Sequence, residues 1–201
     1  MKFIIALLAV CMLSGCGMTK GDLPNASDLP SIIPSVLPSI MPTETATESP
    51  VALGSFTTTI LDTAPSRVHN LQLCAAALNG FIVAPSTEFS FNTVVGQRTS
   101  EKGYKEAIML VNGERKMAIG GGVCQISSTL YNAAAAAGME IVERHDHTNE
   151  VHYVEIGQDA AVSFGEQDFR FRNPLSEPVQ IVVAVENTEV KASLYKNVTQ
   201  S

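Results

Sequence analysis

The sequence predicts one α+β domain over residues 51–201, an antiparallel or mixed sheet with two main helices and a cysteine at the start of the second. Three observations carry that expectation. Two stretches, Ser66 to Leu78 and the run from Cys124 through Ala137, place apolar residues at helical three-and-four spacing. Short β-branched and aromatic runs lie around them, most clearly Ser55 to Ile60, Val179 to Val185 and Val190 to Tyr195. The first fifty residues differ so much in composition that they are not expected to join the core.

Met1-Lys2-Phe3 followed by the apolar run Ile4 to Leu13 reads as a short signal segment, too short to anchor in a bilayer by itself. Leu13-Ser14-Gly15-Cys16 resembles the lipobox of bacterial lipoproteins. That resemblance implies cleavage after residue 15, a lipid on Cys16, membrane attachment through that lipid, and an extracytoplasmic location. Residues 16–50 follow as a tether, with Pro24, Pro30, Pro34, Pro38, Pro42 and Pro50 set among Ser and Thr. Removing Lys2 with the leader takes the formal charge from −7 to −8. An acidic chain is poorly suited to nucleic-acid phosphates, so no nucleic-acid partner is expected. Of the cysteines left, Cys74 and Cys124 are the two able to pair in an oxidising compartment.

The domain is expected to open on a strand at Ser55 to Ile60. The helix Ser66 to Leu78 buries Val68, Leu71, Ala75 and Leu78, with Cys74 as a small core residue beside them, and Asn79-Gly80 ends it. Phe81-Ile82-Val83 and Phe89-Ser90-Phe91 read as two short strands around the turn at Ala84-Pro85-Ser86-Thr87. Ala107 to Val111 is a strand closed by Asn112-Gly113. Met139 to Arg144 starts a strand after the capping Gly138.

Between these strands lies Gly120-Gly121-Gly122-Val123-Cys124-Gln125-Ile126-Ser127-Ser128-Thr129-Leu130-Tyr131-Asn132. Three glycines free the backbone before the cysteine, which then sits at a helix start. Uncapped N–H groups and the positive end of the helix dipole favour a thiolate there. Ile126, Leu130, Ala133 and Ala137 form the core stripe, while Cys124, Ser128 and Tyr131 share another face. His145, His147 and His152 cluster downstream, and Asp159 and Asp168 offer carboxylates.

A low-pKa cysteine, a histidine and an orienting acid are the minimal equipment of a thiol nucleophile for acyl transfer, with helix-start N–H groups as oxyanion donors. The order of Cys, His and Asp is similar to the transglutaminase-like and papain-like arrangement. Zinc held by Cys124 and two of the three histidines is an alternative, although the spacing matches no familiar metal motif. No cofactor is expected. A second alternative is a binding module in which Gly121, Gly122, Gln125, Ser128, Tyr131, Tyr153 and Arg98 grip a wall peptide without chemistry.

Phe89-Ser90-Phe91-Asn92, Val95-Gly96-Gln97-Arg98-Thr99, Gly103-Tyr104, the glycine-cysteine stretch, Arg144, His147, Tyr153, Gly157 and Asp159-Ala160 together resemble the VanW family. The resemblance covers essentially the whole globular part and implies a bacterial cell-envelope setting, with peptidoglycan as the expected partner, but supplies no reaction. It also selects His147 from the histidine cluster as the base. It leaves Asp159 and Asp168 both open as the acid.

Overall fold

The computed structural model describes residues 52–111 and 114–196. The leader, Cys16, the tether and the Asn112-Gly113 turn lie outside the described residues. The chain runs β1 (Ala52–Thr59), α1 (Pro65–Leu78), β2 (Ile82–Val83), β3 (Glu88–Ser90), α2 (Phe91–Val95), β4 (Glu106–Val111), β5 (Glu114–Ile119), α3 (Val123–Ala136), β6 (Glu140–Glu143), β7 (Arg170–Arg172), β8 (Val179–Glu186) and β9 (Glu189–Lys196). This is the expected α+β architecture, and every strand pair is antiparallel.

The largest sheet has the order β1-β9-β8-β2. Its inward residues follow the strand period of two: Val179, Ile181 and Val183 on β8 are buried, as are Val190, Ala192 and Leu194 on β9. Both long helices pack against this sheet, α1 on β8 and α3 on β1 and β9. Helix α1 buries Leu71, Ala75 and Leu78 of the predicted stripe, with Cys74 beside them, while Val68 is only half-buried. Helix α3 is enclosed more completely, with nine of its residues buried, and its other side meets the sheet β3-β7-β6. An aromatic cluster fills that second interface. Phe89 stacks on Phe171 with centroids 4.8 Å apart, and Tyr131 of α3 meets Phe169 edge-on at 5.8 Å.

The two short strands expected to flank one turn do not pair with each other. Strand β2 joins β8 in the first sheet, and β3 joins β7 in the second. Asn173 holds that crossing: fully buried, it donates from Nδ2 to the carbonyls of Val83 and Glu177. Phe91 belongs to α2 rather than to a strand, because Ser90 caps a helix by accepting from the Thr93 N–H at 3.1 Å.

The β4–β5 hairpin stands apart as a two-stranded sheet, with Ile108, Met117 and Ile119 exposed. Asn70 of α1 secures its base. This fully buried amide donates to the Lys105 and Gly121 carbonyls at 2.9 and 3.0 Å and accepts from the Lys105 N–H at 2.8 Å. The hairpin therefore feeds α3 from a fixed point. Among the described residues no helix is long and apolar enough to cross a membrane.

Candidate functional site

The approach to α3 is built on close backbone contact. A Cβ on Gly121 would stand 2.5 Å from the Ala107 carbonyl oxygen, so only glycine lets the turn pass β4. Gly122 then serves as the N-cap with φ of 106°, and no side chain caps the helix. The N–H groups of Val123 and Gln125 donate to the carbonyls of Gly120 and Gly122, at 3.3 and 2.8 Å. Cys124 lies between them in the first turn, where the dipole favours negative charge.

Opposite Cys124 runs the irregular segment between β6 and β7, which the helix itself holds in place. Ser127 Oγ donates to the Ala160 carbonyl at 2.6 Å, Ser128 Oγ accepts from the Ala160 N–H at 2.9 Å, and Asn132 Nδ2 donates to the Gln158 carbonyl at 2.7 Å. These bonds dock Asp159 beside the helix. Asp159 Oδ2 in turn accepts from both the backbone N–H and Nδ1 of His147, each at 2.6 Å. A carboxylate can only accept, so Nδ1 carries the proton and Nε2 remains for the sulfur. His147 interacts with Cys124 through a side-chain hydrogen bond and through charge. Cysteine, histidine and aspartate thus form one connected line.

The electrostatics follow from that line. Burial pushes the Cys124 thiol upward, but the hydrogen bond and charge of His147 and the charge of Arg98 outweigh it, leaving its pKa below the ordinary value. Burial likewise works against the His147 imidazolium, and the bonds and charges of Cys124 and Asp159 overcome it, so its pKa is raised. Asp159 is partly desolvated, yet its bonds to His147 keep it below the usual carboxylate range. Arg144 donates to the Asp159 carbonyl and, from Nη2, to Oδ1 at 3.2 Å, and its guanidinium lies over the Tyr131 ring, 5.0 Å from the centroid.

The structure distinguishes the two aspartates. Asp168 accepts from Ser90 Oγ at 2.6 Å and from the N–H groups of Asn92 and Phe169, both at 2.8 Å, so it braces α2 and the start of β7. Asp159 is the one joined to His147. Of the other histidines, His145 pairs with Glu143 at 2.9 Å and His152 is exposed. The three therefore do not converge on Cys124. Among the described residues no group of three His, Cys, Asp or Glu side chains is arranged to hold a metal, and Cys74 and Cys124 are both free thiols.

Ser128 and Tyr131 do share the face of Cys124, as their spacing requires; Ser128 is fully buried there and bonded to the Cys124 and Ala160 backbone and to the Tyr153 side chain. Tyr131 packs between Phe169 and Arg144. Gln125 is likewise buried, donating from Nε2 to Thr58 Oγ1 and the Thr59 carbonyl at 3.1 and 3.0 Å. Arg98 is held by neutral oxygens. It donates to Asn92 Oδ1 at 2.6 Å and to the carbonyls of Gly96 and Val162. Tyr153 lies beside Ser128 and Cys124, where burial and then the charge of Cys124 raise its pKa and keep its hydroxyl protonated as a donor.

Two contributors escaped the sequence expectations. Val162 supplies a carbonyl 3.6 Å from Cys124 Sγ, a long-range contact with no local sign. Arg67, in the first turn of α1, reaches Gln125 Oε1 at 3.1 Å. Its signal was a cation at the positive end of a helix dipole, where a basic residue is disfavoured unless tertiary structure needs it.

A family described as "VanW like protein" matches residues 66–195, a span that holds α1, the glycine turn, Cys124, His147 and Asp159. The chain is 49% identical to "Uncharacterized protein YoaR" of Bacillus subtilis over 129 residues, 64% of this chain and 43% of that protein. It is 30% identical to "Vancomycin B-type resistance protein VanW" of Enterococcus faecalis over 135 residues, 65% of this chain and 49% of that protein. The chain thus spans less than half the length of the curated relatives it matches. No solved structure matches it. With the matched region enclosing the whole constellation around Cys124, the chain belongs to the VanW-like family.

Proposed function

We propose that this protein is a thiol-dependent acyl transferase or amide hydrolase acting on peptidoglycan peptides at the cell envelope. The observation that carries the proposal is the line from Cys124 at an uncapped helix start through His147 to Asp159, with the 2.6 Å bond fixing the imidazole. In this reading His147 holds the thiol proton, Cys124 attacks the acyl carbon, and His147 returns the proton to the departing amine. Asp159 holds the tautomer and balances the imidazolium. The Cys124 N–H at the helix start and the Tyr153 hydroxyl are the donors available to a developing oxyanion.

The envelope setting has separate support. The lipobox-like Leu13-Ser14-Gly15-Cys16 suits a lipid anchor on the outer face of the membrane, and one relative bears a vancomycin-resistance name. Incubating the full chain with muropeptides, beside Cys124→Ala, tests the reading by mass spectrometry. New cross-linked or shortened peptides from wild type alone support it. Identical product spectra from the two proteins contradict it.

A further inference from the structure

Arg67 is a cation held against the start of α3 with its charge left uncompensated. Among the described residues it has no carboxylate partner. Its terminal nitrogens donate to two neutral oxygens, Gln125 Oε1 at 3.1 Å and the Ile108 carbonyl at 3.5 Å. Its Nε is buried and makes no hydrogen bond among the described residues, as is also true of Arg170 Nε. Leaving a buried donor unmade and a guanidinium unpaired costs stability. An arrangement with that cost calls for an explanation, and an anion received by the guanidinium is one.

The surroundings are built to hold the guanidinium there. Gln125 cannot turn its amide, because Nε2 is fixed by Thr58 and Thr59, so Oε1 must face Arg67. Thr58 is itself fixed by Thr129 at 2.8 Å. A glutamate at position 125 would neutralise the cation, whereas glutamine positions it and leaves the charge free. Glycine at position 122 admits the stem: a Cβ there would stand 3.1 Å from Arg67 Cγ and 3.5 Å from Cζ. The guanidinium consequently lies beside the start of α3, against Gly122 and Gln125, residues two before and one after Cys124 in the chain. Arg98, on the Val162 side, is the second cation in the site bound only to neutral oxygens.

We propose that Arg67, positioned by Gln125, is the subsite for a substrate carboxylate lying within about a residue of the bond that Cys124 attacks. This rests on the reading of Cys124 as a nucleophile and adds a substrate requirement: the acyl donor is a peptide carrying a free carboxylate beside its scissile amide. A C-terminal carboxylate and a side-chain carboxylate share that chemistry. Arg98 assists through charge, while Arg67 supplies the directional contact.

The test compares alkylation of Cys124 in the full chain by iodoacetate and iodoacetamide, with adducts quantified on the peptide carrying Cys124. The reagents differ in one charge and displace the same iodide. Wild type should favour iodoacetate beyond what free cysteine does, by about tenfold at low salt, and the preference should shrink as ionic strength rises. Arg67→Gln should cut the ratio at least about threefold, with Arg67→Lys retaining most of it. An unchanged ratio in Arg67→Gln overturns the subsite.

A measurement on wild type alone guards against misfolding of the variants. N-acetyl-D-alanine should protect Cys124 from iodoacetamide while its C-terminal amide should not, and equal protection by both overturns the proposal. N-acetyl-isoglutamine, with a side-chain carboxylate, reports the other source: stronger protection by it than by N-acetyl-D-alanine assigns the subsite to side-chain carboxylates. Reaction no faster than free cysteine with either reagent would instead defeat the nucleophile reading, a result distinct from fast alkylation without charge preference.

Discussion

Cys74 lies in the hydrophobic core and Cys124 packs against it, on helices α1 and α3 that pack against each other, yet their thiols are driven in opposite directions. Cys74 is fully buried in mid-helix, and desolvation pushes it up to about 12 despite the nearby charge of Arg98. Cys124 also suffers desolvation, but it stands in the first turn of its helix and faces His147. The comparison shows that burial alone makes a cysteine inert, while burial supplied with a cation and a helix start lowers the thiol pKa. It also shows what the segment between β6 and β7 contributes. Without the bonds from Ser127, Ser128 and Asn132 to residues 158–160, Cys124 would keep its helix start and lose its partner.

The contrast can be broken most forcefully at His147. His147→Ala should slow iodoacetamide alkylation of Cys124 at pH 7 by on the order of tenfold or more, moving it toward Cys74 behaviour. Asp159→Asn should give a smaller drop, about fivefold, because the imidazole stays in place but loses the charge that raises its pKa. The same variant should lower stability by about 1–3 kcal/mol in urea unfolding, since His147 and Arg144 both lean on that carboxylate.

The pH dependence of stability should follow the same pair. His147 has a raised folded pKa, so its contribution is complete below its unfolded value of about 6.5 and is lost as pH rises through the folded value. Asp159 has a lowered one, so its contribution is present above about 3.9 and lost as pH falls through its folded value. Thermal unfolding should therefore show their joint contribution greatest between about 4 and about 6.5, and His147→Gln should flatten the limb above that window.

Much of this contrast was legible in the sequence because it is local. Three-and-four spacing placed Cys74 beside a core stripe, and three glycines placed Cys124 at a helix start. The choice between Asp159 and Asp168 was not legible, since it depends on which of two equally polar segments docks against α3, a matter of long-range bonds through Ser128 and Asn132. Strands β2 and β3 were found, but their separation into different sheets follows from partners about ninety residues away in β7 and β8. Strand β5 was hidden by Glu114-Arg115-Lys116, because a hairpin exposed on both faces has no alternation to read. Arg67 was missed since nothing in its neighbours along the chain announces Gln125.

Smaller effects sharpen the comparison from the structural side. Cys74→Ala should cost about 1–2 kcal/mol through the cavity it leaves, and Cys124 alkylation should change by less than about twofold. Tyr131→Leu should remove the contact with Arg144 and lower stability by about 1 kcal/mol, measured by the same unfolding curves. A large loss of Cys124 reactivity in Cys74→Ala would mean that the two thiols are coupled.

The central claim is that the Cys124 thiol is held below its ordinary pKa because His147 is beside it. It is tested most directly by following the rate of Cys124 alkylation by iodoacetamide against pH in the full chain and in His147→Ala. The account predicts a wild-type midpoint below that of free cysteine and an upward shift in His147→Ala. Coincident profiles at the free-cysteine midpoint would contradict it.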